Sequence, residues 1–241
     1  DLHGETEERF IFIIDEWDCI FRIYKNDGAA QKVYLDFLRD LLKGQPYVAL
    51  AYMTGILPIK KYGEHSALNM FDEYSMMNQK QLAEFTGFTE KEVTELCDKY
   101  KIPFDEIKRW YDGYNVNGVS TYNPRSVVAV LMCGIFDNYW SKTESYEALK
   151  VYIQRNENGL RDKVIQMIGG EHISVNTDTF QNDMVTFECA DDVLTLLIHL
   201  GYLTYDFDTN TVWIPNAEVR REFINSISRG GYEKEIGRAH V

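Results

Sequence analysis

The residues of this chain best placed to do chemistry are two carboxylates at the end of an apolar run. Phe10-Ile11-Phe12-Ile13-Ile14 is bulky throughout, with three β-branched members, and stops abruptly at Asp15-Glu16. An unbroken apolar run reads as a strand buried on both faces, the kind found inside a parallel sheet. Ligands of such sheets bind outside the carboxyl ends of the strands. An Asp at that point can hold a divalent cation that bridges phosphate groups, and the Glu after it can take a proton from an attacking water. A core strand whose end merely happens to be acidic fits the same residues.

Four apolar residues followed by Asp-Glu is the Walker B pattern of P-loop ATPases. The elements that would position it follow in order. Ile20 to Asp27 reads as a connector, and Ala29 to Leu42 has helical spacing, with Val33, Phe37, Leu38, Leu41 and Leu42 expected on one face. Gly44 and Pro46 stop that helix. Tyr47 to Met53 is a second buried strand, ending in Thr54-Gly55. Strand, helix, strand over this distance predicts a βαβ unit with parallel strands. Asp15, Glu16 and Thr54 would then share one edge. Thr54 stands where a sensor hydroxyl could meet the attacking water or a γ-phosphate, although a turn hydroxyl before glycine explains it equally well. Lys60 and Lys61 could reach a phosphate, or simply be solvated loop lysines.

Beyond Asn78 the pattern turns helical. Thr89-Glu90-Lys91-Glu92 fits a capping box for a helix to about Tyr100. Pro103 precedes a short helix containing Ile107 and Trp110. Trp110-Tyr111-Asp112-Gly113-Tyr114 is aromatic-rich and ends in a turn. Its rings could stack on a base or pack in a core, and packing is the commoner job. Asn123-Pro124 opens a helix over Arg125 to Cys133, with Gly134 past its end. Further helices are expected over Ser145–Arg155 and Leu160–Ile168. The last stretch reads as a helix (Asp191–Leu200), a hairpin (Tyr202–Phe207 and Thr211–Ile214 around Asp208-Thr209-Asn210) and a helix from Ala217 to about Ile227. Helix, hairpin, helix is compatible with a winged-helix module, which binds DNA in some proteins and protein partners in others. Few basic residues lie near the hairpin, so the electrostatic footprint of a DNA binder is absent.

Composition bounds the function. The 241 residues carry a net charge of −13, with 45% hydrophobic and 26% charged residues. That is ordinary for a globular protein and disfavours whole-surface binding to nucleic acid or anionic membrane. No apolar run approaches the ~20 residues of a membrane helix, and no signal peptide is visible. The four cysteines are scattered without a CxxC pair, which suits reduced thiols in a cytoplasmic protein. The five histidines show no metal-ligand spacing. Asp1 is not a start methionine, and Glu235 to Val241 looks like a translated sequencing adapter, so a fragment is expected.

Several motifs together resemble one family, the predicted AAA-ATPase-like proteins of bacteria and archaea. They are Phe12-Ile13-Ile14-Asp15-Glu16-Trp17-Asp18, Ala51-Tyr52-Met53-Thr54-Gly55-Ile56-Leu57-Pro58-Ile59, Ser66-Ala67-Leu68-Asn69-Met70-Phe71, Trp110-Tyr111-Asp112-Gly113-Tyr114, Tyr122-Asn123-Pro124 and Gly201-Tyr202-Leu203-Thr204. They occur in the family's order over most of the chain. The resemblance implies a P-loop ATPase using ATP and Mg²⁺, often followed by a restriction-endonuclease-like nuclease domain, through which nucleic acid would be a partner. One departure matters: the chain contains no GxxxxGK followed by Ser or Thr, the loop whose backbone N–H groups and lysine cradle phosphates.

The expected architecture is α/β. A partial P-loop NTPase parallel sheet (residues 1–77) is followed by a helical domain (78–190) and a winged-helix-like module (191–234), with 235–241 set aside. Asp15 would hold Mg²⁺, Glu16 would activate water and Thr54 would assist. Arg125, with Arg109 as an equal alternative, would sense γ-phosphate charge. The intact protein is expected to hydrolyse ATP and this chain to be inactive alone. An exposed apolar edge beside the Asp15 strand, and hence self-association, is also expected. The alternatives are a non-catalytic interaction module and a winged-helix nucleic-acid binder.

Overall fold

A computed structural model of the chain describes residues 4, 7–24, 26–56, 68–77, 80–116, 118–140, 150–154, 156–180 and 187–236. These form a mixed α/β arrangement, about half helix, with three small sheets. They group into two compact units, residues 1–73 with 180–187, and residues 74–179 with 188–241. Among the described residues no helix is long and apolar enough to cross a membrane.

The first unit is built on two parallel strands, β1 (Phe10–Ile14) and β2 (Val48–Met53), in a register that sets Ile14 opposite Met53. The crossover holds a long helix, α2 (Gly28–Leu42), whose first turn is capped by the Asp27 carboxylate accepting from Ala30 N at 2.9 Å. The connector expected over Ile20–Asp27 contains a short helix, α1 (Cys19–Ile23). Leu35 and Leu38 join Trp17 and Leu68 in the core, with Ile14, Phe21 and Met53 packed against them. The buried stripe of α2 is Leu35, Leu38 and Leu42, whereas Val33 and Phe37 face solvent. Apolar residues run more than halfway round this helix, and the sheet and Trp17 cover one stripe of it.

The expectation that β1 is buried on both faces is overturned. Ile11 is 64% exposed, Ile13 76%, and their register partners Leu50 and Tyr52 55% and 54%. Side chains alternate across a strand, so these four share one face, while Ile14 and Met53 turn toward the α2 core. The exposed apolar face expected beside the Asp15 strand is therefore present, and among the described residues β1 pairs with β2 alone.

The second unit opens with a 3₁₀ segment (Lys80–Phe85) and β3 (Phe88–Thr89), then α3 (Glu90–Tyr100). The capping box forms as read: the Thr89 hydroxyl accepts from Glu92 N, and the Glu92 carboxylate accepts from Thr89 N at 2.8 Å. Those bonds hold the Glu92 carboxyl below its usual range. Thr89→Ala is expected to cost about 1 kcal/mol in urea unfolding. α4 (Phe104–Tyr111) and α5 (Pro124–Cys133) follow, the latter capped by Asn123 accepting from Arg125 N and Ser126 N and ended by Gly134 at φ +71°. Val93, Ile107, Tyr111, Tyr122, Val127 and Val130 make the core between them.

Beyond the expected helices, this region carries an antiparallel sheet in which β5 (Val119–Tyr122) lies between β3 and β4 (Tyr114–Val116). Residues 150–154 are helical, and the remainder of the helix expected over 145–155 lies outside the described residues. α6 (Leu160–Ile168) has the expected bounds. A second antiparallel sheet orders β6 (Ile173–Ser174), β8 (Thr211–Trp213) and β7 (Thr204–Asp206), with β8 central. α7 (Ala190–His199) is buried almost throughout, and α8 runs from Ala217 to Ile236, past the expected end at Ile227. Gly230 and Gly231 lower helix propensity but do not end it.

A buried polar network fastens α8. The Glu218 carboxylate is almost fully buried and accepts from Tyr139 N at 2.7 Å, Trp140 N at 2.8 Å and the Ser126 hydroxyl at 2.9 Å. Burial pushes this carboxyl up, while those donors pull it down, for a net rise. One turn on, Glu222 accepts from Asn138 Nδ2 at 3.2 Å and lies 3.6 Å from Lys150 Nζ. The Glu218 carboxylate is thus satisfied by hydrogen bonds, as a buried charge requires, whereas Oε1 of Glu222 has only the Lys150 charge nearby among the described residues.

Candidate active site

Parallel pairing brings the carboxyl ends of β1 and β2 together, and backbone bonds extend the pairing beyond the strands. Thr54 N donates to Ile14 O at 2.9 Å, and Trp17 N donates to Thr54 O at 2.9 Å. Asp15 and Thr54 are thereby neighbours, and the Thr54 hydroxyl donates to Asp15 Oδ1. The same oxygen accepts from Glu16 N at 3.0 Å. Among the described residues no group donates to Oδ2 of Asp15.

Glu16 has φ +50°, a left-handed backbone uncommon outside glycine. The chain turns there into α1, with Cys19 N donating to Glu16 O at 2.9 Å. The Glu16 carboxylate is exposed and accepts from Arg22 Nη2 at 3.0 Å. Arg22 Nε also lies 3.3 Å from Oδ2 of Asp18, which is fully buried. Ile56 N, just beyond β2, donates to that oxygen at 3.1 Å. Partial burial works against the Arg22 charge, but the hydrogen bond to Glu16 and the charges of Asp18 and Glu16 outweigh it and raise its pKa. Gly55 completes the frame. A Cβ there would come within 2.6 Å of the Trp17 ring and 3.0 Å of the Asp18 carboxylate.

Asp15, Glu16 and Thr54 thus share one strand-end edge, as the sequence implies. Arg125 is exposed at the start of α5 in the second unit, where its charge acts on Glu218. Arg109 pairs with Glu106 at 2.5 Å and lies over the Trp110 ring. Tyr111 and Tyr114 are buried, and Trp110 packs beside Tyr111 and Phe136. Asp112 accepts from the Ser120 hydroxyl and helps shape its turn. Lys60 and Lys61 lie outside the described residues. The residues missed in the sequence are Asp18 and Arg22. Their spacing of four was a signal, but α1 is too short for its periodicity to stand out.

Among the described residues no cluster of three or more His, Cys, Asp or Glu is placed to hold a metal ion. All four cysteines are free thiols. Magnesium is commonly bound through one or two carboxylates plus phosphates and waters, and Asp15, whose Oδ2 takes no donor among the described residues, would supply one such carboxylate. The sequence contains no GxxxxGK followed by Ser or Thr, so a phosphate cradle of that kind has no counterpart among these residues.

The second unit holds a cavity of about 180 Å³, walled by Tyr114, Tyr122, Trp140 and His199 among others, with no charged side chain among the described residues that line it. Burial pushes the His199 imidazole down to about 4. Between the unfolded value near 6.5 and that folded value, the unfolded chain binds a proton that the folded chain does not. Stability is therefore complete above about pH 6.5 and falls as pH drops toward 4, by on the order of 2–3 kcal/mol. Glu218, shifted upward, contributes with the opposite sign. Urea midpoints across this range should slope for the wild type and flatten in His199→Gln.

No protein-family model matches the chain, and no solved structure matches it. Among curated proteins, it is similar to an uncharacterized protein in the vnfD 5′ region of Azotobacter chroococcum mcd 1. The two are 26% identical over an alignment of 147 residues that covers 58% of this chain. The match spans 28% of that relative's length.

Proposed function

We propose that the first unit carries the metal-binding and water-activating half of an ATP-hydrolysing site. The carrying observation is the Thr54 hydroxyl on the Asp15 carboxylate, at adjoining ends of two parallel strands. In this reading Asp15 holds Mg²⁺, which when bound neutralises charge on the triphosphate. Glu16 accepts the proton of the attacking water, and Thr54 orients that water or the γ-phosphate. The family resemblance supports this reading, as does the parallel β1–α2–β2 crossover, a connection that a P-loop sheet would also have.

The phosphate cradle would come from a Gly-rich loop that this sequence lacks, so the chain alone is expected not to hydrolyse ATP. The test is ATP turnover by this chain joined to an upstream segment that supplies GxxxxGK[ST], compared with its Asp15→Asn form. Turnover that survives loss of the carboxylate would overturn the reading. Parallel sheets normally bury both faces, and the Ile11, Ile13, Leu50, Tyr52 face is where we place further elements of such a sheet. Left open, it should drive self-association of this chain. Light scattering is expected to show larger species for the wild type than for Ile13→Lys with Leu50→Lys.

In the second unit, α6–β6–α7–β7–β8–α8 with β8 central supports a winged-helix-like module. Its hairpin carries Asp206 and Asp208, which favours a protein partner over nucleic acid. Duplex DNA binding is expected to be weak, and strong salt-dependent binding would reverse that choice.

A further inference from the structure

We infer that Arg22 is a positioning residue for Glu16, anchored in turn by the buried Asp18; this rests on the ATPase reading of the same site. Glu16 is an exposed side chain on a left-handed residue at a strand end, with nothing in its own stem to select a rotamer. A proton acceptor needs a fixed direction, because small misplacements of a reacting group are costly.

Arg22 supplies that direction. Its Nη2 donates to Glu16 at 3.0 Å while its Nε lies 3.3 Å from Asp18 as an ion pair without hydrogen-bond geometry, so one planar guanidinium sits between both carboxylates. Asp18 is a firm anchor: it is fully buried, accepts from Ile56 N at 3.1 Å, and sits where Gly55 leaves no room for a side chain. A chain of contacts therefore runs from the end of β2 through Asp18 and Arg22 to Glu16. The strand pair that sets Asp15 against Thr54 sets the Glu16 carboxylate too. A lysine could meet one carboxylate but lacks the fork that spans two.

In the step served, water oxygen bonds to the γ-phosphorus as the bond to the bridging oxygen of ADP breaks. The water proton passes to Glu16 and then to solvent. In this inference Arg22 acts through Glu16 alone, without itself contacting the water or the phosphate.

The test is a double-mutant cycle in the protein that includes the phosphate loop, read as ATP turnover with Mg²⁺. Arg22→Gln is expected to lower kcat about tenfold, the scale of orienting partners, with KM for ATP unchanged. In a Glu16→Gln background it is expected to cause no further loss, because its effect is routed through the missing carboxylate. Arg22→Lys, which retains the charge against Asp18, is the second variant should Gln unfold the unit, and is expected to show the same dependence on Glu16. An equal loss in both backgrounds would make Arg22 a staple of the fold and overturn the inference. Wild-type turnover in either Arg22 variant would do the same. A wild-type protein without turnover would instead overturn the ATPase reading, and this inference with it.

Discussion

Glu16→Gln is expected to lower ATP turnover of the phosphate-loop-containing protein by roughly 10²–10⁴-fold, the usual effect of losing a general base, with nucleotide affinity retained. Glutamine keeps the shape of the side chain and can still accept from Arg22, so the frame around it should stand. What it lacks is a carboxylate able to take the proton of water. On the proposed reading Asp15→Asn should differ in kind, because loss of the charge assigned to Mg²⁺ would weaken metal-dependent nucleotide binding as well as turnover. Single-turnover hydrolysis and equilibrium binding of a labelled nucleotide separate the two. Equal retention of turnover in both would mean that neither carboxylate takes part.

The largest stability effect is expected at Gly113. It sits at φ +107°, and a Cβ built there would lie 2.0 Å from the Pro215 carbonyl oxygen and 2.7 Å from its carbon. Those are backbone atoms, so no side-chain rotation relieves the overlap. The neighbourhood is also pinned: Asn216 Nδ2 donates to Asp112 O at 2.9 Å, and Asn216 Oδ1 accepts from Val219 N at 3.0 Å to cap α8. Gly113→Ala must therefore displace the start of α8 or the end of α4, at a cost of about 3–5 kcal/mol. Gly118→Ala is the control. It shares a positive φ, +80°, but a Cβ there meets nothing within 4 Å, so only conformational strain of about 1 kcal/mol is expected. Urea denaturation of the two variants compares close approach with strain, and equal losses would contradict the contact at Pro215.

Much of the site frame was legible because local chemistry determines it. Two apolar runs joined by an amphipathic helix pair in parallel, and parallel pairing carries Asp15 and Thr54 to one edge whatever else surrounds them. Asn123-Pro124 and Thr89 to Glu92 announced their helix starts, since unpaired N–H groups require such partners. Burial was less legible. Ile11 and Ile13 look like core residues, but whether a strand is covered on both faces depends on how many layers pack on it, which no residue of the strand encodes.

Very short elements escaped for a different reason. α1 has five residues and β6 two, too few for periodicity to separate them from a connector. The link from Asp18 through Arg22 to Glu16 was hidden with α1. Its partner at Ile56 is joined by tertiary structure rather than by spacing. Glu218 is similar: a lone glutamate in a helix gave no sign that Ser126 and the 139–140 backbone would bury it.

The most direct measurement is a crystal structure of the phosphate-loop-containing protein with Mg²⁺ and a non-hydrolysable ATP analogue. Asp15 is expected in the metal's coordination sphere, directly or through one water, with Thr54 Oγ1 and the Glu16 carboxylate facing the γ-phosphate. A metal–nucleotide complex seated away from the ends of β1 and β2, with Asp15 still turned onto Thr54 alone, would contradict the assignment.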